Sequence, residues 1–165
     1  MHAVDFSTLL LRLVLGTVMG LHGWNHLFGA GGVDGTARWF ASMGLRPPRL
    51  HAWVSGMLEI AAGAGLVVGL FTPLAGAAVL GIVVVAGVTA HRKNGFFIFR
   101  DGYEYVMTIA AMVLALLVLG PGQWSIDAAI GLKFSGVAPA VSAGVAAALG
   151  STALLAACWR PQPAS

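Results

Sequence analysis

Five apolar stretches, each long enough to cross a bilayer, account for most of this 165-residue chain. They cover roughly residues 8–27, 51–70, 73–90, 105–119 and 137–158. A hydrocarbon core about 30 Å thick takes about 20 helical residues to span. No water reaches that core to satisfy backbone groups, so each stretch must be a helix. The expected fold is therefore an all-α membrane protein.

Composition narrows the alternatives. Apolar residues make up 58% of the chain and charged residues 9%, against about 25% charged in soluble proteins. So little polar surface cannot cover a water-soluble globule, and the length leaves no room for an extramembrane domain. The net charge of +3 does not point to nucleic acid, because the basic residues flank spans rather than cluster. No cleavable signal is expected at the N-terminus, where Arg12 interrupts the apolar run and no A-x-A site follows. Cys158 is the lone cysteine, so neither an intramolecular disulfide nor a C-x-x-C redox pair can form.

Charge also sets a topology. With five spans, one face receives Arg38, Arg46 and Arg49, then Arg92, Lys93 and Arg100, then Arg160. The other face receives Lys133 alone. The positive-inside rule places the basic face in the cytoplasm and the N-terminus outside, in the cytoplasmic (inner) membrane. Trp24, Trp53, Trp124 and Trp159 fall at span ends, where amphipathic rings prefer the headgroup level.

Ionisable groups at membrane depth are costly and are functional candidates by default. Arg12, Gly16, Met19, Gly23 and His26 share one stripe of the first helix, with His22 on its edge. Glu59 lies about two turns inside the second span, on a face shared with Ser55, Gly56, Ala62 and Gly63. His91 and Glu104 lie near the same membrane face. The expectation is a polar pocket of His22, His26 and Glu59, joined by His91 and Glu104. It could hold a quinone head group, relay protons between Glu59 and His26, or ligate a metal or haem. The bland alternative is a buried network that fixes helix register. An i,i+4 histidine pair without a third ligand nearby is a weak metal signal, and only His91, at a helix end, could complete a bis-histidine haem site. No metal site is therefore expected. At the opposite face Arg12 and Asp127 are expected to pair as a structural clamp, the alternative being snorkelling of Arg12 to the headgroups.

The segment Gly120-Pro-Gly-Gln-Trp-Ser-Ile-Asp127 resembles the Gly-Pro-Gly-x-Trp-Ser-Leu-Asp hallmark of the DoxX family. Leu11-Arg-Leu-Val-Leu-Gly16 and His22-Gly-Trp-Asn-His-Leu-Phe-Gly29 are similar to its first-helix elements, with His26 where the family has lysine. Glu59 followed by Gly69-Leu-Phe-Thr-Pro73, then Asn94-Gly-Phe-Phe97 and Gly102-Tyr-Glu-Tyr105, complete five motifs in family order over about residues 8–131. The resemblance implies a four-helix transmembrane bundle over residues 1–131. Residues 132–165 would add a fifth C-terminal transmembrane helix and a short basic tail. It also implies Arg12, Glu59, Gly102, Glu104 and Asp127 as family-type positions. Relatives include a membrane subunit of a thiosulfate:quinone oxidoreductase and proteins associated with oxidative-stress enzymes.

The first expectation for function is a membrane subunit or scaffold that docks a redox partner through the basic loops; the expected partners are membrane lipid and either a protein partner or further copies of the chain in a homo-oligomer. The rival is a quinone-reactive oxidoreductase subunit in which Glu59 and His26 exchange protons with quinone and a partner supplies electrons. A solute transporter is weaker, because the spans show no internal repeat or paired broken helices.

Overall fold

The computed structural model describes residues 2–161, so the last four residues of the expected tail lie outside the described residues. The chain is an all-α membrane protein. Each expected span forms a helix: α1 (His2–Phe28), α3 (Pro48–Val68), α4 (Thr72–Ala86), α5 (Glu104–Leu119) and α7 (Val137–Cys158). Two short helices occupy connections, α2 (Gly32–Ser42) and α6 (Ile126–Ala129). A π-helical turn, Gly87–His91, and a 3-10 turn, Arg92–Asn94, extend α4. The result is a continuous 23-residue apolar rod, Thr72–Asn94. Four of the five spans are long and apolar enough to cross a membrane. The exception is α5, whose 16 residues make about 24 Å of helix.

Glycines bring α1 and α3 together. A Cβ on Gly16 would stand 2.6 Å from the Gly63 carbonyl oxygen, and one on Gly23 would stand 2.5 Å from that of Gly56. Small residues permit this approach, and close packing is what holds helices together where lipid tails are as apolar as leucine. Around that seam lie Leu15, Met19, Leu66, Val79, Val113 and Leu116, joined by Ala140, Ala143 and Ala147 of α7. The C-terminal helix thus belongs to the same core as the rest.

The first connection holds α2, which the apolar-run reading passes over. Its Ala37 and Phe40 form a second small core with Leu45 and Ala52. The end of α7 is tied to the link that follows α2. Arg46 N–H donates to Cys158 C=O at 2.9 Å, Arg160 N–H to Gly44 C=O at 2.8 Å, and Trp159 Nε1 to Met43 C=O at 2.9 Å. The basic connections and the C-terminal end therefore share one face.

At the opposite face, the Gly120–Asp127 segment works as a buried knot. Asp127 has no exposed surface. Its two carboxylate oxygens accept the N–H groups of Phe71 at 2.7 Å and Thr72 at 2.9 Å. These are orphan donors at the N-terminus of α4, where the helix dipole also favours an anion. Arg12, 1% exposed, donates to the carbonyls of Val67, at 3.2 Å, and Trp124. The first lies in the last turn of α3, where a cation is favoured. Asp5 accepts the N–H of Gln123 at 2.9 Å. The expected Arg12–Asp127 pair is therefore corrected: among the described residues Arg49–Asp34 is an ion pair and His26 lies 3.5 Å from Glu59, while Arg12 and Asp127 form no direct contact of this kind. Backbone groups at two helix ends compete for Arg12 and Asp127 and win, because each end has unsatisfied groups and no water to serve them.

Gly69 shows why the turn before α4 needs glycine. Its φ is +68°, and a Cβ there would collide with the Arg12 guanidinium. The residue caps α3 in a left-handed conformation, and its carbonyl accepts the Asp127 N–H at 2.8 Å.

Candidate functional site

A cavity of about 320 Å³ lies between α2, α3, α4 and α7. Its walls are mostly apolar, with Leu58, Ile82 and Val85 from the central helices and Ala147, Gly150 and Leu154 from α7. Polar groups are few: His26, His51, Ser55, Glu59, Thr89 and Ser151. A small number of polar groups in an apolar concavity is the usual form of a site for a lipophilic ligand.

Glu59 is its most unusual group. The residue is 2% exposed, held there because Gly56, Ala62 and Gly63 turn the same face of α3 into the bundle. One turn earlier, Ser55 Oγ donates to Glu59 Oε1 at 2.6 Å, an i,i+4 pairing that helix geometry supplies. His26 Nε2 lies 3.5 Å from the same oxygen. The second oxygen, Oε2, is buried with no hydrogen-bond partner. Buried polar atoms are nearly always paired, so an orphan oxygen in a cavity wall calls for an explanation.

Around His26 the first helix meets α2. The imidazole stacks on Trp39 at 6.0 Å between centroids and 19° between planes, and Phe40 lies edge-inclined at 5.6 Å. The ring is thus oriented by aromatic neighbours while Nε2 faces the carboxyl. His51, in the cavity wall, reaches back to the Arg46 carbonyl at 3.2 Å. Neither His51, Trp39 nor Ser151 was among the expected site residues. The aromatic pair Trp39-Phe40 on an amphipathic segment was the available signal for α2.

Three expected members of the pocket lie elsewhere. His22 is exposed, and its Nε2 shares a 3.1 Å hydrogen bond with the Tyr105 hydroxyl. Four residues before His26, it is turned about 40° round the helix, toward α5. His91 Nδ1 bonds to the Asp101 carbonyl at 2.7 Å. Glu104 Oε2 accepts the Ile98 N–H at 2.9 Å. Both are taken up by the backbone of the connection between α4 and α5, whose turns have unpaired groups of their own. The pocket as expected thus reduces to His26 and Glu59, with Ser55 and His51 added. Among the described residues no cluster of three or more metal-ligating side chains occurs.

Comparison with known proteins bears on this arrangement. The curated protein named "Putative oxidoreductase CatD", from Bacillus subtilis (strain 168), is 26% identical over 112 residues, which cover 68% of this chain and 79% of that protein. No solved structure matches. The model of the DoxX family matches residues 7–92, just over half of the chain and the stretch that supplies His26, Ser55 and Glu59. The chain is a member of the DoxX family.

Proposed function

We propose that the cavity binds the head group of a lipid-soluble quinone and that Glu59 exchanges protons with it. The orphaned Glu59 Oε2 in the wall of an apolar cavity carries this reading. A quinone carbonyl near Glu59 would give that oxygen the partner it lacks, with the carboxyl protonated and donating. Reduction of a quinone takes two electrons and two protons. The electrons come from the reductant of a docked soluble enzyme, and Glu59 delivers the two protons in turn, one to each quinone oxygen. His26, 3.5 Å from Oε1, reprotonates the carboxyl after each transfer and takes its own protons from water at the basic face. The name of the Bacillus subtilis relative agrees with an oxidoreductase role.

Glu59→Gln keeps the size and the Ser55 contact but not the exchangeable acid. It should leave the folded protein intact and abolish quinone turnover by the membrane fraction with its partner. Loss of folding without a specific loss of turnover would instead make Glu59 a register-fixing residue.

A scaffold role is supported by a separate observation. Arg46, Arg49, Arg92, Lys93, Arg100 and Arg160 are all exposed on the face that carries the basic connections. In this reading that face is cytoplasmic in the inner membrane, the N-terminus lies outside, and α5 and α7 both cross. An acidic patch on a redox enzyme would dock there. Neutralising Arg46 and Arg49 together should weaken recovery of the partner, and unaltered recovery would remove this loop from docking.

A further inference from the structure

The connection between α4 and α5 displays Phe96, Phe97, Ile98 and Phe99 to the surroundings, with Phe99 75% exposed. It does not do so for lack of structure. Tyr103 N–H donates to Gly95 C=O at 3.0 Å, Glu104 N–H to Phe96 C=O at 2.9 Å and Gly102 N–H to Phe97 C=O at 3.0 Å. Glu104 holds the Ile98 N–H from inside, and the Asp101 carbonyl takes His91 Nδ1 and Asn94 Nδ2. At Gly102 a Cβ would stand 2.5 Å from the Phe96 carbonyl group, so the two strands of the loop close only on glycine. Gly102 and Glu104 therefore serve to present an apolar tip. Phe97 and Phe99 stack at 5.1 Å and Arg100 lies over the Phe99 ring at 5.9 Å.

The depth of this tip follows from helix lengths. Gly87 of the α4 rod and Val106 of α5 are level, a Cβ on Gly87 falling 3.6 Å from the Val106 methyl. From Gly87 the rod continues seven residues to Asn94, about 10 Å, whereas α5 begins only two residues before Val106, about 3 Å. The loop must return toward the membrane by the difference. Phe96 C=O meets the Glu104 N–H at the start of α5, so the aromatic run begins at that lower level, while Arg92 and Lys93 leave from the top of the rod. Apolar rings below and cations above match the boundary between acyl chains and headgroups.

We propose that this loop is a membrane-interface hook: Phe97, Ile98 and Phe99 insert among the acyl chains of the leaflet on the basic face, and Arg92, Lys93 and Arg100 bind anionic phospholipid headgroups. The complementary charge names the lipid. The acids of this connection are Asp101, whose carbonyl is used by the loop, and Glu104, whose carboxylate accepts the Ile98 N–H; three cations against two acids leave the cluster positive.

The test uses the full chain with Cys158→Ser and Phe99→Cys, spin-labelled at residue 99 and reconstituted with phosphatidylcholine and a minor share of phosphatidylglycerol. The label should relax with oxygen and not with a water-soluble nickel chelate. Lipid recovered with the unlabelled protein in nanodiscs should be enriched in phosphatidylglycerol by about fivefold or more. The Arg92→Gln, Lys93→Gln, Arg100→Gln variant should lose that enrichment. A label at 99 that nickel reaches freely makes the tip a site for a soluble protein and overturns the hook. Absence of phosphatidylglycerol enrichment, or its persistence in the triple variant, overturns the headgroup assignment.

Discussion

Asp127→Asn isolates what the Gly120–Asp127 segment does for the fold. The native carboxylate accepts two buried backbone N–H groups at 2.7 and 2.9 Å. Charge-assisted bonds of this kind contribute about 1.5–3 kcal/mol each. Asparagine keeps one acceptor oxygen and turns an amide donor toward the other N–H, so one bond is lost and one buried donor is left unsatisfied. The fully buried Arg12 also loses the nearest anion. Together these predict a loss of about 2–4 kcal/mol for Asn and about 4–6 kcal/mol for Asp127→Ala. Unfolding by SDS titration in mixed micelles measures the difference directly. Asp5→Asn serves as the comparison, because Asp5 holds a single N–H at the same face and should cost about 1–2 kcal/mol. An Asp127→Asn protein within about 1 kcal/mol of the native one would mean that the α4 N-terminus finds other acceptors, and the knot would not be what joins α1, α3 and α4.

Other perturbations test the remaining contacts. Gly63→Ala puts a methyl against the Gly16 carbonyl and should cost about 1–3 kcal/mol by the same titration; no change would mean the α1–α3 seam is loose. Gly150→Leu projects a side chain from α7 where a Cβ meets nothing within 4 Å, beside the cavity. It should block ligand retention in native mass spectrometry while leaving unfolding unchanged, and undiminished retention would free α7 from any part in the site. Trp159→Phe keeps the ring under Arg92 and removes the donor to Met43. A loss of about 1 kcal/mol, with faster proteolysis near residue 160, is expected; protease resistance equal to the native protein would refute the tie.

The spans were legible because a bilayer imposes length and hydropathy on the chain directly, and the helix periodicity carried the Arg12–Met19–His26 stripe and the Ser55–Glu59 face with it. The limits of legibility lie where the backbone itself is a partner. Opposite charges at one depth suggested that Arg12 and Asp127 pair, but sequence does not show the unsatisfied N–H and C=O groups at the α3–α4 turn that claim them first. His91 and Glu104 were placed correctly by depth on the basic face, yet their partners are carbonyls and amides of their own connection. α2 was hidden by its length: eleven residues are too few to span, so a search for spans reads them as loop, although Val33, Ala37 and Phe40 follow helical spacing. A resemblance named the fold family and left the cavity unseen, because the cavity needs α7, which lies beyond the matched residues 7–92.

The tie between Trp159 and the Gly44–Arg46 link has a consequence for biogenesis. Residues 44–46 leave the ribosome early, yet the backbone groups that pair with them belong to residues 158–160. Until the last helix is inserted, Leu45 lacks its bridge to Trp159, and the cavity lacks the wall built from Ala147 to Leu154. The four spans before α7 therefore wait, incompletely assembled, until that helix is made and inserted.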